Sequence, residues 1–250
     1  MESLLSGKIC IITGAGRGIG QAIAELFAEN GAKVYANDLR QGCMDEWAKA
    51  CKSRYIGNII PIYFDITDEA QVKEKIMSIK KAEGHIDTLV NNAGIEFNEL
   101  IGMISNANME SMFKVNVYGT INMLQMVSRV MGRQKSGGSI INISSLVGLR
   151  GNKGQLVYSA TKGAIISLTK SAAKELAPKN IRVNSIAPGL TMTKMMEQAD
   201  IDKLQNRIDN ICMGRLAQPS DIAKGCLLLA SDLAEYISGQ ILAVDGCTIM

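Results

Sequence analysis

The sequence predicts an α/β fold with a doubly wound parallel sheet, and three observations support this prediction. Short apolar runs alternate with helical patterns along all 250 residues, which is typical of a parallel sheet with helices on both faces. The runs are continuously apolar, as expected when both faces of a strand are buried. No repeat, low-complexity tract or linker interrupts the alternation, so we predict a single domain over residues 1–250.

The pattern of apolar residues places seven strands and the helices between them. In the first helix Ile23, Leu26 and Phe27 recur at helical spacing, and the pattern stops at Gly31. Further helices are predicted at 44–52, on the face formed by Val72, Ile76 and Ile79, at 108–133, and before each of the last two strands. The predicted strands are KICIIT (8–13), AKVYAN (32–37), NIIPIYF (58–64), DTLVNNAG (87–94), GSIINISS (138–145), IRVNSIAPG (181–189) and QILAVDG (240–246).

Composition narrows the classes of partner and location. The net charge of +3 is too small to indicate nucleic acid or an anionic membrane as a partner. No apolar run reaches the ~18 residues of a spanning helix, and the opening MESLLSGK does not have the pattern of a signal peptide. The six cysteines lack metal-ligand spacing and His85 is the single histidine, so we predict no metal site. Unpaired thiols indicate a cytoplasmic protein.

A glycine-rich turn follows the first strand and opens the first helix. In TGAGRGIG (13–20), Gly14, Gly18 and Gly20 allow a tight turn and let the backbone approach a pyrophosphate at the helix N-terminus. Asp38 ends the second strand, where an acid can hydrogen-bond a ribose 2′-hydroxyl. Taken alone, the turn and the acid could also be a plain tight turn and a solvated or capping carboxylate. Together they predict a dinucleotide-binding Rossmann fold.

The stretch YSATKGA places Tyr158 and Lys162 four residues apart, on one face of a helix. A free tyrosine titrates near pH 10, too high for a base at neutral pH. A neighbouring ammonium favours the phenolate, and so would a positively charged oxidised nicotinamide. The alternative is a tyrosine at a helix start beside a solvated lysine.

Six motifs follow one another along the chain. They are TGxxxGIG at 13–20, NNAG at 91–94, Asn116 in KVNVYG, Ser145 in NISSLVG, YxxxK at 158–162 and PG at 188–189. In order and separation they resemble the short-chain dehydrogenase/reductase family over nearly the whole chain, and most closely its 3-oxoacyl-(acyl-carrier-protein) reductases. The resemblance implies an NAD(P)-dependent oxidoreductase that transfers hydride between nicotinamide and a carbonyl or secondary alcohol.

The resemblance also implies a catalytic tetrad of Asn116, Ser145, Tyr158 and Lys162. Tyr158 would exchange a proton with the substrate oxygen, and Ser145 would hydrogen-bond that oxygen where charge develops. Asn116 would shape its helix to hold a water that relays protons to Lys162. Ser144 is a rival to Ser145, but it matches a variable position of the family pattern.

By resemblance the cofactor contacts residues from six parts of the chain. Asp38 favours NAD because a carboxylate repels a 2′-phosphate, whereas relatives that use NADP often carry a base at the position of Arg17. We expect NAD, with NADP as the alternative. The sequence reads VDGC at 244–247, where relatives commonly read VDGG. The predicted cofactor-binding residues are Gly14, Arg17, Gly18, Ile19, Gly20, Asp38, Asp65, Ile66, Asn91, Asn92, Ala93, Gly94, Tyr158, Lys162, Pro188, Gly189, Thr191 and Thr193.

The substrate is expected to be a small or carrier-linked carbonyl compound. Residues 189–218 are irregular, and by resemblance they form a lid over the nicotinamide. Their methionines, flexible and polarizable, suit an acyl chain or another apolar carbonyl, unless they only pack the lid on the core. An acidic carrier would need a basic surface, although cations are also ordinary at helix C-termini. The methionines are Met192, Met195, Met196 and Met213, and the basic candidates are Arg129, Arg133, Lys135 and Lys174.

A homotetramer is expected by resemblance, formed through the helices 108–133 and 157–177 and the C-terminal strand. The stretch GAIISLTKSAAKEL is apolar on more than one face, so a monomer would expose a patch. Other functions stay open, namely a dehydrogenase of a free secondary alcohol, steroid or sugar, or a non-catalytic nucleotide-binding regulator. The intact Ser145, Tyr158 and Lys162 argue against the regulator, and an epimerase or dehydratase would need a longer C-terminal domain.

Overall fold

Seven parallel strands pair into one sheet. The structure is a computed structural model and describes residues 3–192, 205 and 208–249. The strands are β1 (Ile9–Ile12), β2 (Lys33–Asp38), β3 (Asn58–Tyr63), β4 (Thr88–Asn91), β5 (Gly138–Ile143), β6 (Ile181–Pro188) and β7 (Ile241–Val244). Their order across the sheet is β3-β2-β1-β4-β5-β6-β7, and every neighbouring pair is parallel. The predicted fold class and the seven strands are confirmed.

The helices cover both faces of this sheet. Ile11 packs in one apolar cluster and its neighbour Ile12 in the other, because successive strand side chains point to opposite faces. Helices α1, α2 and α8 contribute to the Ile12 cluster, and α3, α5 and α7 to the Ile11 cluster. Their bounds are α1 (Gly18–Glu29), α2 (Asp45–Cys51), α3 (Glu69–Glu83), α4 (Asn106–Met112), α5 (Thr120–Met131), α6 (Leu146–Arg150), α7 (Leu156–Leu176) and α8 (Pro219–Ala230).

Local sequence explains where the third helix begins and ends. Asp68 caps α3 by accepting hydrogen bonds from the backbone N–H groups of Ala70 and Gln71, at 2.9 and 3.1 Å. Gly84 ends it in the left-handed conformation, with φ of 81°. The predicted face of Val72, Ile76 and Ile79 is buried. Among the described residues, no helix is both long and apolar enough to cross a membrane.

The helix predicted at 108–133 is present, but it is not one regular α-helix. It starts two residues earlier in α4, passes through a π-helical turn at Phe113–Gly119 and continues as α5. This turn, called here the π segment, contains Asn116, whose backbone oxygen accepts a hydrogen bond from the Thr120 hydroxyl at 2.8 Å. π-helical turns within α-helices are frequent at functional sites. The periodicity of apolar residues cannot distinguish such a turn from an α-helix.

Six of the seven strands end one to three residues earlier than predicted, and the ends of β4 and β5 affect the site. β4 stops at Asn91 and β5 at Ile143. Asn92, Ala93 and Ser145 therefore leave the sheet. The N–H groups of Asn92 and Ala93 donate to the Thr13 hydroxyl, and the Ser145 hydroxyl accepts from an N–H of α6. This exit places them at the carboxyl edge of the sheet.

Candidate active site

The crevice at the centre of the carboxyl edge lies between β1 and β4. The strand order reverses direction there, and ligands of open parallel sheets bind outside this point. The backbone N–H groups of Asn92 and Ala93 both donate to the Thr13 hydroxyl at 3.0 Å. The Asn92 side chain donates to the backbone oxygens of Thr13 and Gly14 at 2.9 and 3.0 Å. These bonds hold the glycine-rich turn against the end of β4.

The glycine-rich turn requires glycine for its conformation and its close contacts. Gly14 and Gly18 have φ of 63° and 58°, in the left-handed region. A Cβ on Gly14 would lie 2.8 Å from the Ala93 Cα, and a Cβ on Gly20 would collide with the Gly14 carbonyl oxygen. Ile19 belongs to the first turn of α1, whose N–H groups have no partner within the helix. A cradle of this kind fits a pyrophosphate.

Asp38 lies at the end of β2 and reaches back to the glycine-rich turn. Its carboxylate accepts a hydrogen bond from the Gly16 N–H at 3.1 Å and pairs with the Arg40 guanidinium at 3.3 Å. Arg17 precedes α1 and is exposed, and its side chain does not cap the helix. The base nearest to Asp38 in the described structure is therefore Arg40, which the sequence did not single out.

Asp65, Ile66 and Asn91, all predicted to bind the cofactor, take different structural roles. Asp65 is half-buried, and its carboxylate accepts from the Thr67 N–H at 2.8 Å. Ile66 is buried, and a Cβ on Gly119 would lie 2.7 Å from its side chain. The Asn91 side chain donates to Asn142 inside the sheet at 2.9 Å. Asn91 is thus committed to the core, and Asn92 faces the crevice.

Lys162 is a buried cation on the first turns of α7. Its side chain is 4% exposed, and its Nζ donates to the Ile143 backbone oxygen at 2.8 Å. The same Nζ lies 5.7 Å from the centre of the Tyr158 ring. Burial lowers the pKa of Lys162 to about 8, while the Glu96 carboxylate opposes this shift. Lys162 therefore carries its charge at neutral pH and loses it at moderately alkaline pH.

The structure differs from the expectation that Lys162 lowers the pKa of Tyr158. Burial of the phenol raises the pKa of Tyr158, and the Glu96 carboxylate raises it further. A hydrogen bond with Ser145 acts in the opposite direction. The ammonium lies near the ring rather than at the hydroxyl, so removal of the phenol from water outweighs it. The chain's own residues hold Tyr158 as a neutral phenol.

The structure separates Ser145 from its rival Ser144. The Ser144 hydroxyl is buried, donates to the Ile186 backbone oxygen at 3.0 Å and accepts from the Ser185 hydroxyl at 2.8 Å. Ser145 is half-buried at the start of α6, and its hydroxyl accepts a long bond, 3.4 Å, from the Val147 N–H. The same hydroxyl is a hydrogen-bond partner of Tyr158, so Ser145 rather than Ser144 lies beside the phenol.

Asn116 is held by backbone atoms of the loop after β4. Its amide donates to the Ile95 backbone oxygen at 2.9 Å, accepts from the Ile95 N–H at 2.8 Å and donates to the Thr161 hydroxyl at 3.1 Å. A Cβ on Gly94 would lie 3.3 Å from the Asn116 Oδ1 and 3.4 Å from the Lys162 Nζ. Glycine at 94 thus keeps open the space between these two polar groups.

The predicted nicotinamide side lies at the end of β6. Gly189 donates its N–H to the Val244 backbone oxygen at 3.0 Å, and a Cβ there would lie 2.7 Å from the Asp245 Cα. Pro188 is the last residue of β6 and is buried. The Thr191 hydroxyl donates to the Gly189 backbone oxygen at 3.0 Å. Thr193, with Met195 and Met196, lies outside the described residues.

Glu96 and Gln155 are site residues that the sequence did not indicate. The Gln155 amide donates to the Glu96 carboxylate, and the Glu99 N–H donates to the Gly154 backbone oxygen at 2.8 Å. These bonds join the loop after β4 to the residues just before Tyr158. A lone acid in a loop carries no spacing signal. Only the NNAG motif next to it could have drawn attention to Glu96.

Metal ligands do not cluster in the part of the chain that is described. No group of three or more histidine, cysteine, aspartate or glutamate side chains there could hold a metal ion. His85 is partly exposed, and its Nε2 lies 3.2 Å from an Asp87 oxygen.

Comparison with known proteins assigns the family. A family model described as enoyl-(acyl carrier protein) reductase matches residues 14–247. A 3-oxoacyl-(acyl-carrier-protein) reductase of Thermotoga maritima is 40% identical over 97% of this chain and 98% of its own length. A protein of that name from Aquifex aeolicus is 39% identical, over 98% of this chain and 99% of its own. A 3alpha-hydroxysteroid dehydrogenase of Mediterraneibacter gnavus is 38% identical over 98% of each chain.

The chain belongs to the short-chain dehydrogenase/reductase family. It is an NAD(P)-dependent oxidoreductase acting on CH–OH groups or the corresponding carbonyls. The resemblance read from the motifs is confirmed, and so is the prediction of an enzyme.

Proposed function

We propose that Tyr158 exchanges the proton in the interconversion of a ketone and a secondary alcohol. When bound, the nicotinamide supplies or accepts the hydride. The observation that supports this most is the meeting of Tyr158, Ser145 and Lys162 beside the crevice. Ser145 is placed to hydrogen-bond the reacting oxygen, and Asn116 to position the loop that borders Lys162.

The electrostatics of the chain favour proton donation by Tyr158. A neutral phenol is the form that gives a proton to a developing alkoxide, so the raised pKa of Tyr158 favours reduction. In the reverse direction the phenol must first lose its proton. The buried ammonium of Lys162 and the open space beside Gly94 give that proton a polar route toward Asn116.

We propose NAD as the preferred nucleotide. Asp38 is bonded to the N–H of Gly16 in the glycine-rich turn, which fixes the carboxylate where a ribose 2′-hydroxyl would donate to it. A 2′-phosphate at this position would be repelled. NADP is the second candidate, because Arg40 lies on the same carboxylate and could turn toward a phosphate.

Exposed apolar side chains beside Tyr158 favour an apolar substrate. They lie on the loop after β4, on α6 and at the start of α7, and two of them, Ile101 and Met103, are more than half exposed. The loop is tied to the residues just before Tyr158 through Glu99 and Gly154. Such a rim suits a 3-oxoacyl thioester, the substrate in the names of many relatives, with a hydroxysteroid as the second candidate. The rim residues are Phe97, Leu100, Ile101, Met103, Leu149 and Leu156.

The four basic candidates for carrier binding are exposed but distant from Tyr158. Lys174 follows Tyr158 by 16 residues of α7, which corresponds to about 24 Å along the axis. Arg129 lies in the last turn of α5, and Arg133 and Lys135 follow that helix, at the edge where β5 begins. A carrier held there would serve the site of a neighbouring subunit.

We propose a homotetramer and a cytoplasmic location. The chain exposes Tyr118 on the π segment, Leu242 on β7 and Tyr236 just before it, which are apolar surfaces for subunit contacts. All six cysteines are free thiols, as expected in a reducing compartment. Light scattering at micromolar concentration tests the assembly, and a mass of one chain would contradict it.

The function is tested with a panel of ketones, using NADH and NADPH separately. We expect acetoacetyl thioesters to be reduced with NADH, and the thioester on carrier protein to react faster than its coenzyme A form. The variant Arg133→Glu/Lys174→Glu should lose about tenfold of the carrier-linked rate and keep the coenzyme A rate. If the double variant lost neither rate, or lost both equally, Arg133 and Lys174 would have no role in carrier binding. Turnover of 3-oxosteroids alone would favour the second candidate.

A further inference from the structure

The C-terminal tail, residues 245–249, pairs with the chain at 210–213. Ile211 and Thr248 form an antiparallel bridge. On one side of it the Cys212 N–H donates to the Cys247 backbone oxygen at 3.3 Å, and on the other the Ile249 N–H donates to the Asn210 oxygen at 2.7 Å. This register places Cys212 and Cys247 directly opposite each other.

The two thiols are close to each other and exposed. Both cysteines are free and exposed, and the Cys247 thiol is a hydrogen-bond partner of the Cys212 thiol, which raises the pKa of Cys212. Residues directly opposite each other in an antiparallel pair have Cα atoms about 4.5–5.5 Å apart, within the range of disulfides, roughly 4.4–6.8 Å. The backbone register therefore allows an S–S bond between the two side chains.

The backbone of Cys247 is held in an unfavourable conformation. Its φ is 59°, in the left-handed region that favours glycine. Its N–H donates to the Asp245 carboxylate at 3.1 Å, and the Thr248 hydroxyl donates to the Asp245 backbone oxygen. A strained backbone persists where the surroundings over-determine it. These bonds keep the Cys247 thiol on the side facing Cys212.

We propose that Cys212 and Cys247 are an oxidisable dithiol that a peroxide converts into an intrachain disulfide. One thiolate attacks the peroxide O–O bond and becomes a sulfenic acid, releasing water after protonation. The second thiolate attacks that sulfur, forms the S–S bond and releases a second water. The two thiols lose two electrons and two protons to the peroxide.

The remaining cysteines do not offer this arrangement. Cys10, Cys51 and Cys226 are buried, so their thiols are shielded from a peroxide in solution. Cys43 is exposed, but it lies beside Asp38 and Arg40 at the glycine-rich turn. It can therefore serve as the control for an exposed thiol without a cysteine partner.

A Cys212–Cys247 disulfide would link the C-terminal tail covalently to the segment 210–213. The tail also contacts Gly189 through Asp245, and the Thr248 backbone oxygen accepts from the Arg150 guanidinium. The tail therefore already contacts α6 and the residue that follows β6 before any oxidation. A disulfide there would make its pairing with 210–213 permanent until it is reduced.

The test is titration of the full-length protein with hydrogen peroxide, followed by non-reducing peptide mass mapping. Wild type and Cys43→Ser should yield a Cys212–Cys247 crosslinked peptide at the mass of one chain, with loss of two free thiols reversed by dithiothreitol. Oxidation should raise Tm by about 5 °C. Cys212→Ser and Cys247→Gly should yield neither effect, and Cys247→Gly also relieves the left-handed backbone, so it should fold. Crosslinks between chains, or separate sulfinic acids at the two cysteines, would overturn the proposal.

Discussion

The two halves of the site are built from different kinds of contact. The nucleotide half, around Gly14 and Gly20, is formed by backbone atoms so close that a Cβ would collide with them. The catalytic half, around Lys162 and Tyr158, is formed by side chains whose burial shifts their pKa values. The first half depends on shape and the second on the balance of charge and burial.

This difference predicts how each half responds to substitution. In the nucleotide half a small side chain displaces the backbone, so binding and folding change together. In the catalytic half an isosteric change removes one proton or one charge and leaves the fold in place. Variants that alter turnover without altering nucleotide binding should therefore be found only in the catalytic half.

A large effect on turnover is expected at one of the two adjacent serines and not at the other. Ser145→Ala should lower kcat/KM by about 10²–10³-fold, because it removes a donor to the reacting oxygen. Ser144→Ala removes the buried bonds to Ile186 and Ser185 instead, so it should lower Tm and keep kcat within about threefold. Steady-state kinetics and thermal unfolding of both variants check this. Equal kinetic losses would mean that Ser144 takes part in the reaction.

A smaller effect is expected in the nucleotide half. Asp38→Ser should raise the kcat/KM ratio of NADPH to NADH by about tenfold or more, because it removes the repulsion and frees Arg40 for a 2′-phosphate. The double variant Asp38→Ser/Arg40→Ala should lose most of that gain. Arg17→Ala serves as the control and should change the ratio little. A wild-type enzyme that already prefers NADPH would contradict the assignment of Asp38.

The buried ammonium should be visible in stability measurements. The pKa of Lys162 is about 8 in the folded chain and 10.5 ordinarily. Between about pH 8 and pH 10.5 the unfolded chain therefore keeps a proton on Lys162 that the folded chain has lost. Stability of the wild type relative to Lys162→Met should therefore rise from pH 7 to pH 9, by about 1 kcal/mol at 1.36 kcal/mol per pKa unit. Urea unfolding of both proteins at pH 7 and pH 9, at one protein concentration, measures this difference in the free energy of unfolding. A difference that stays constant with pH would show that Lys162 titrates normally.

The smallest effect concerns Glu96, which raises the pKa of Tyr158. Glu96→Gln should move the limb on which alcohol oxidation rises with pH to lower pH, because the phenol then loses its proton more easily. Gln155→Ala should leave the limb near its wild-type position. A limb that moves to higher pH in Glu96→Gln would contradict the assignment.

The fold could be predicted almost completely from the sequence. Continuous apolar runs such as KICIIT become buried parallel strands because both faces of the sheet are covered. The π segment around Asn116 could not be predicted, because a single π-helical turn does not visibly change the spacing of apolar residues along the helix. The early ends of β4 and β5 were also missed, because they depend on the polar bonds of Asn92 and Ser144.

The sequence could predict which candidate site residues lie together, but not the electrostatics around them. Motif spacing indicated Ser145, Tyr158 and Lys162 correctly as neighbours. It could not show that burial outweighs the lysine in setting the pKa of Tyr158, which depends on the surrounding fold. It also missed Glu96 and Arg40, whose partners are brought together by loop conformation rather than by spacing.

The proton-exchange role of Tyr158 is the centre of this account, and Tyr158→Phe tests it most directly. The substitution removes one hydroxyl, so kcat with an authentic ketone should fall by about 10²–10⁴-fold. The Kd for NADH, measured by fluorescence titration, should stay within about threefold of wild type. Tyr118→Phe, at an exposed tyrosine of the π segment, should change neither value. A Tyr158→Phe enzyme that keeps more than about a tenth of the wild-type kcat would contradict the catalytic assignment.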